Sequence, residues 1–78
     1  MRQTNKCSIE TIQRVLDKFF YDPDSVERRE RIAQEEDWSW TAIDNWTWDC
    51  WTENFKTEFV ARFWLANRAY DAEYIRWY

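Results

Sequence analysis

The sequence is short, acidic and rich in aromatic residues. Its 78 residues carry a net charge of −4 and include seven Trp, four Tyr and five Phe. A chain of this length has room for one hydrophobic core, so we expect residues 1–78 to form a single domain. Histidine is absent, which excludes metal sites built on imidazole and removes the commonest general base.

The cysteines and the apolar segments give further expectations. Cys7 and Cys50 match no zinc or CxxC spacing, and we expect two free thiols rather than a disulfide. The N-terminus has no apolar run of signal-peptide length, and no segment is long and apolar enough to span a bilayer. We therefore expect a soluble, cytoplasmic protein that holds no metal ion or other cofactor.

Two helices are predicted in the first half of the chain. Glycine is absent and Pro23 is the single proline, which favours helices over tight turns. Apolar residues recur at helical spacing over residues 8–20, where Ser8 supplies a cap. A second helix is predicted over residues 23–36, with Asp22 as its cap and Pro23 in its first position. Its many charged side chains predict a solvated face.

A third helix is predicted over residues 45–77, with Asp44 as its cap. Apolar residues follow one another there at intervals of three and four, which is the spacing of one helix face. The stripe consists of Trp48, Trp51, Phe55, Phe59, Phe63, Ala66, Tyr70, Tyr74 and Trp77. A helix of this length would be longer than the domain is wide, so we expect it to break near Thr52 or to project from the domain.

The tryptophan-rich segment between these helices has two interpretations. Residues 38–48 resemble the designed tryptophan-zipper hairpins, because Trp recurs there with a period of two. Such hairpins normally need glycine in the turn, and the five connecting residues contain none. We therefore favour a short turn or helical piece at residues 37–43. The resulting fold class is all-α, a small bundle of three main helices.

Acidic and aromatic side chains concentrate in the same part of the chain. Residues 33–53 contain six acidic residues and no basic residue. This charge argues against direct contact with nucleic acid and favours a partner protein with a basic surface. Trp is also enriched among the residues that dominate binding energies. The residues expected to contact a partner are Glu35, Glu36, Asp37, Trp38, Trp40, Asp44, Trp46, Asp49 and Trp64.

These features predict a non-enzymatic protein-binding module. Carboxylates can imitate phosphate charges and indole rings can imitate stacked bases, so the module could occupy a basic nucleic-acid-binding site on its target. Its size and charge are similar to those of virus-encoded inhibitors of the anti-restriction and anti-CRISPR type, which act in infected cells. The alternative is a self-associating structural protein that buries its surplus aromatic residues in a homodimer.

Overall fold

The computed structural model describes residues 4–70, which form a mixed four-stranded sheet and two helices. The elements in chain order are β1 (Thr4–Lys6), α1 (Ile9–Tyr21), a short 3₁₀ helix (Pro23–Ser25), β2 (Glu30–Gln34), β3 (Trp40–Asp44), β4 (Trp51–Phe55) and α2 (Glu58–Tyr70). The strand order is β1-β2-β3-β4. β1 is parallel to β2, and the other neighbours are antiparallel.

The central strands contribute to two hydrophobic cores, one on each face of the sheet. Side chains alternate between the faces of a strand. Ile32 of β2 therefore packs against Leu65 of α2, whereas its neighbour Ala33 belongs to the cluster that contains Ile12 of α1. The helices consequently lie on opposite faces, and the described part of the chain has three layers.

The prediction of an all-α bundle is wrong, although its first helix is confirmed. α1 spans Ile9–Tyr21, and the Ser8 hydroxyl accepts a hydrogen bond from the Thr11 N–H as its cap. The helix predicted over 23–36 is replaced by the 3₁₀ helix and by β2. Asp22 makes no side-chain cap there. Both faces of β2 are covered by helices, so its short sequence lacks the simple alternation that marks a strand.

The helix predicted over 45–77 is also wrong in its first part. Residues 45–50 form a loop, residues 51–55 form β4, and the helix begins only at Glu58. Residues 71–77 lie outside the described residues. Aromatic residues are favourable in strands as well as on helix faces. The helical spacing of aromatic residues therefore continues through the loop and β4, although neither is helical. None of the described helices is long and apolar enough to cross a membrane.

The buried face of α2 differs from the predicted stripe. Phe59 and Phe63 are 76% and 59% exposed, whereas Leu65 is 1% exposed. Ala61 and Leu65 are the fully buried residues of this helix, and Trp64 packs beside them. Leu65 packs against Ala42 and Ile32 on the sheet surface beneath α2, whereas the rings of Phe59 and Phe63 lie on the outer side of the helix.

The short turn or helical piece predicted at residues 37–43 is wrong, because most of these residues belong to β3, and residues 38–48 do not form a zipper hairpin. Residues 35–38 form a turn in which the Trp38 N–H donates to the Glu35 carbonyl at 3.1 Å, and β3 follows from Trp40. The hairpin therefore joins β2 to β3, and Trp38 lies in its turn. A second turn follows β3, where the Trp48 N–H donates to the Asn45 carbonyl at 3.1 Å.

Both turns use tryptophan where hairpins commonly use glycine. Trp38 has a φ of 71° and Trp48 a φ of 65°, and Cys50 has a φ of 46°. A residue of left-handed conformation is usually glycine, because a Cβ atom is disfavoured there. Trp38 completes a three-residue hairpin loop, whereas Trp48 and Cys50 lie in the longer connection between β3 and β4. The chain has no glycine, so these turns form at a conformational cost.

Both cysteines are free thiols, as expected from the sequence. Burial raises the pKa of the Cys50 thiol to about 11, and the carboxylate of Asp49 contributes to the shift. Burial also raises the pKa of Cys7, although Arg31 opposes this effect. Both groups therefore stay protonated and unreactive near neutral pH.

Truncation of a side chain should have different effects on stability on the two faces of α2. Leu65→Ala removes a buried side chain and should lower the free energy of unfolding by about 3 kcal/mol. Phe63→Ala alters the exposed face and should lower it by less than about 1 kcal/mol. Urea denaturation monitored by circular dichroism measures both values. The opposite ranking would restore the predicted stripe as the core face.

Candidate protein-binding surface

The structure divides the predicted contact residues between the two ends of β3. Glu35, Glu36, Asp37 and Trp38 precede this strand, whereas Asp44 ends it and Trp46 and Asp49 lie in the loop that follows. Five residues of strand separate the two groups by roughly 14 Å. We call residues 35–38 the acidic turn and residues 45–50 the tryptophan loop. The predicted residues do not form one continuous surface.

The carboxylates near the tryptophan loop are paired with an arginine of α2. Asp44 is 1% exposed, and its Oδ2 accepts a hydrogen bond from Arg68 Nε at 2.8 Å. Arg68 Nη2 also lies 3.9 Å from Asp49 Oδ2. The same guanidinium lies 5.3 Å from the Trp51 ring centroid and 5.2 Å from that of Trp64. Negative charge at this end is therefore offset within the fold.

A second arginine holds the indoles of the tryptophan loop. Arg28 donates two hydrogen bonds to the Trp46 carbonyl, from Nε at 3.1 Å and from Nη2 at 2.7 Å. Its guanidinium lies 5.5 Å from the Trp46 ring centroid and 5.1 Å from that of Trp48. Both rings thus have a cation–π contact within the protein, although Trp48 is still 48% exposed.

A buried asparagine locks the tryptophan loop to the segment before β2. Asn45 Nδ2 donates to the carbonyls of Val26 and Glu27, and its Oδ1 accepts from the Cys50 N–H. These bonds satisfy two carbonyls of the segment before β2 and one N–H of the tryptophan loop, none of which takes part in sheet pairing. The loop is therefore anchored to this segment by hydrogen bonds of a buried side chain.

Trp40 and Trp64, which the sequence also assigned to partner contact, lie on the α2 side of the sheet. Both are partly buried against the core that contains Leu65. The Trp40 ring carries the ammonium of Lys6 at 5.0 Å from its centroid, and the Trp64 ring lies 5.5 Å from that of Phe55. Intramolecular packing accounts for these two rings as well.

The acidic turn differs from the tryptophan loop in its surroundings. No Lys or Arg nitrogen of residues 4–70 lies within 4.0 Å of the carboxylates of Glu35, Glu36 or Asp37. Trp38 projects beside them and is 76% exposed. Negative charge and an uncovered indole therefore coincide at this end of β3.

Hydrogen bonds fix the shape of the acidic turn. Asp37 Oδ1 accepts from the Ser39 hydroxyl and from the Ser39 N–H. These two bonds lower the pKa of the Asp37 carboxyl, the hydroxyl having the larger effect. Their contribution to stability is therefore complete above the ordinary pKa of Asp and is lost as the pH falls through the lowered value. The turn keeps its shape and charge at neutral pH.

An open cleft adjoins the acidic turn on the α1 side of the sheet. α1 packs over β2, and the polar side chains of the other two long strands border a space of about 650 Å³. Its lining consists of Ile9, Gln13, Glu35, Glu36, Asp37, Ser39, Thr41 and Asn54. A smaller adjoining space of about 310 Å³ extends along α1 to Leu16 and Thr52.

Hydrogen bonds connect the floor of the cleft to its acidic rim. Thr41 donates to Glu35 Oε2, and Asn54 Nδ2 donates to the hydroxyl oxygens of Thr41 and Ser39. The three acidic residues were predicted from the sequence, whereas Gln13, Thr41 and Asn54 were not. Only the pairing of β3 with β4 brings these polar residues beside α1, and no local pattern indicates that pairing.

The lining of the cleft consists mainly of hydrogen-bonding side chains. Among residues 4–70 there is no group of three or more His, Cys, Asp or Glu side chains that could hold a metal. Comparison with protein families, with curated proteins and with solved structures found no match. A cleft with carboxylates on its rim and amides and hydroxyls on its floor can accept cationic hydrogen-bond donors.

Substitution of two arginines of α2 tests how much the ion pair at Asp44 contributes to stability. Arg68→Met keeps the aliphatic stem between the two indoles but removes the cation beside a buried carboxylate, so it should lower the free energy of unfolding by about 3 kcal/mol. Arg62→Met removes an exposed pair with Glu58 and should have little effect on the free energy of unfolding. Urea denaturation of both variants checks the difference, and equal effects would refute it.

Proposed function

We propose that this protein is a non-enzymatic binding module whose acidic turn and adjoining cleft occupy a basic, nucleic-acid-binding site on a partner protein, which it thereby inhibits. The observation that carries the proposal is Trp38. This residue has a φ of 71° and is 76% exposed. It combines an unfavourable backbone conformation with an uncovered aromatic ring.

Folding alone does not account for tryptophan at this position. The left-handed conformation costs a residue with a Cβ atom roughly 1–2 kcal/mol. Burial of an indole could compensate for such a cost, but most of the Trp38 side chain remains in solvent. Exposed residues held in unfavourable conformations cluster at ligand-binding sites, and Trp is the residue type most enriched at binding hot spots.

The charge around Trp38 supports a basic partner. Three consecutive carboxylates precede the indole, and no cation of residues 4–70 pairs with them. Carboxylates form strong charge-assisted hydrogen bonds with Arg and Lys, the residues that hold phosphates in nucleic-acid-binding grooves. An adjacent indole can occupy the space of a stacked base.

Replacement of Trp38 by glycine should separate stability from binding. Trp38→Gly removes the conformational cost and should raise the free energy of unfolding by about 1 kcal/mol while it weakens partner binding by at least about tenfold. Trp48→Gly is the matched control, because it makes the same change in the tryptophan loop and should retain binding. Urea denaturation measures the stability of each variant. Binding is measured as the amount of partner protein that each immobilised variant retains from a cell extract.

The charge requirement is tested with the same immobilised protein. Asp37→Lys should abolish retention of the partner, whereas Asp24→Lys in the 3₁₀ helix should not, and added double-stranded DNA should release the partner from the unmodified protein. Retention that is indifferent to Asp37→Lys and to Trp38→Gly would refute the proposed function.

A second candidate function is self-association through the outer face of α2. Phe59, Val60 and Phe63 are exposed there, and the two Phe rings stack with centroids 6.4 Å apart. Their exposed area is about 350 Å² in total, which is no larger than the biggest apolar patch of many monomers. The observations therefore favour the acidic turn.

Sedimentation velocity distinguishes the two candidates. We expect a monomer at micromolar concentration, unchanged by Phe63→Ala, because the apolar area on α2 is small. A dimer that dissociates on dilution and that Phe63→Ala abolishes would favour the homodimer instead.

A further inference from the structure

β4 forms one edge of the described sheet. Within residues 4–70 it pairs with β3 and with no other strand. An edge strand presents a row of backbone N–H and C=O groups that another chain can pair with. Four of the five residues of β4 are also exposed, so another chain can reach this edge.

The pairing pattern identifies which backbone groups point away from the sheet. The Glu35 N–H donates to the Ser39 carbonyl, and the Asn45 N–H donates to the Arg29 carbonyl. Hydrogen-bonded positions alternate along an antiparallel strand, so the even-numbered residues of β3 pair with β4. Their partners on β4 are Trp51, Glu53 and Phe55. The N–H and C=O groups of Thr52 and Asn54 therefore point outward.

The same two residues border the cleft. Their side chains lie on the α1 face, where Asn54 Nδ2 donates to Thr41 and Thr52 lines the inner part of the space. A strand added outside β4 would direct alternate side chains over this face, because directly opposite residues share a face. Long basic side chains there could lay their stems along Ile9 and Leu16 and extend their charged groups toward Glu35.

We propose that β4 binds an extended basic segment of the partner as an added antiparallel strand, with every second residue a Lys or Arg over the cleft. This inference rests on the proposed function and specifies the partner's contact. Backbone hydrogen bonds to Thr52 and Asn54 provide affinity, and the carboxylates of the acidic turn select basic side chains. A second copy fits less well, since pairing centred on Glu53 would set two like charges opposite each other.

A pair of methylated peptides tests the backbone pairing. The probe is a terminally capped peptide of alternating Lys and Thr, slightly longer than the five residues of β4. In the proposed geometry the Lys residues lie opposite Thr52 and Asn54, so the Lys N–H groups face β4 and the Thr N–H groups face solvent. N-methylation of the Lys amides should therefore weaken binding at least about tenfold, whereas N-methylation of the Thr amides should not.

Binding is measured by titration of the full chain. The readout is the amide resonance of Asn54 in every variant, together with that of Thr52 in the unsubstituted protein. Thr52→Pro removes an outward N–H without loss of a bond to β3 and should abolish binding. Thr52→Val is its control, because it removes the same hydroxyl but keeps the N–H. A failure of the unmethylated peptide to bind, or equal weakening by both methylated peptides, would overturn the inference. The proposed function would still stand if Asp37→Lys abolished retention of the partner.

Discussion

The ion pair between Arg68 and Asp44 determines much of this structure. It joins α2 to the end of β3, and it is surrounded by the rings of Trp51 and Trp64. A buried carboxylate is unfavourable unless a cation and hydrogen bonds compensate for its desolvation, so α2 must dock with Arg68 at this point. That requirement fixes the rotation of the helix, which buries Leu65 and leaves the Phe rings outside.

Arginine side chains also determine which carboxylates have a cation beside them. Arg68 lies beside Asp44 and Asp49, and Arg28 lies over the indoles of the tryptophan loop. The acidic turn has no comparable cation within residues 4–70. A segment that looks uniformly acidic in the sequence is therefore electrostatically divided in the fold. The carboxylates of the acidic turn, which pair with no cation of residues 4–70, lie at one end of β3 and next to the cleft.

The sequence predicted α1 well because the information for this helix is local. Its apolar face recurs within thirteen residues, and Ser8 caps it without help from the rest of the chain. The strands could not be predicted in this way, because each has five residues or fewer and its partners lie elsewhere in the sequence. The large aromatic rings of α2 dominated the hydrophobic pattern, although Ala61 and Leu65 make the buried contact.

The site was predictable to the extent that it depends on charge. The acidic turn was identified from consecutive carboxylates and a neighbouring indole, and these residues are indeed adjacent in the fold. The cleft could not be identified, because Gln13, Thr41 and Asn54 come from three elements whose arrangement requires the sheet. The contacts of Arg28 with Trp46 and of Arg68 with Asp44 could not be predicted either, because they join residues 18 and 24 positions apart in the sequence.

The absence of glycine explains why both turns contain a strained residue, but it does not explain why that residue is tryptophan. Asn and Asp adopt the left-handed conformation more readily and would serve equally well in a turn exposed to solvent. At position 48 the ring is used within the fold, since Arg28 lies 5.1 Å from its centroid. At position 38 the indole is mostly in solvent. Packing within residues 4–70 therefore explains the indole at position 48 better than the indole at position 38.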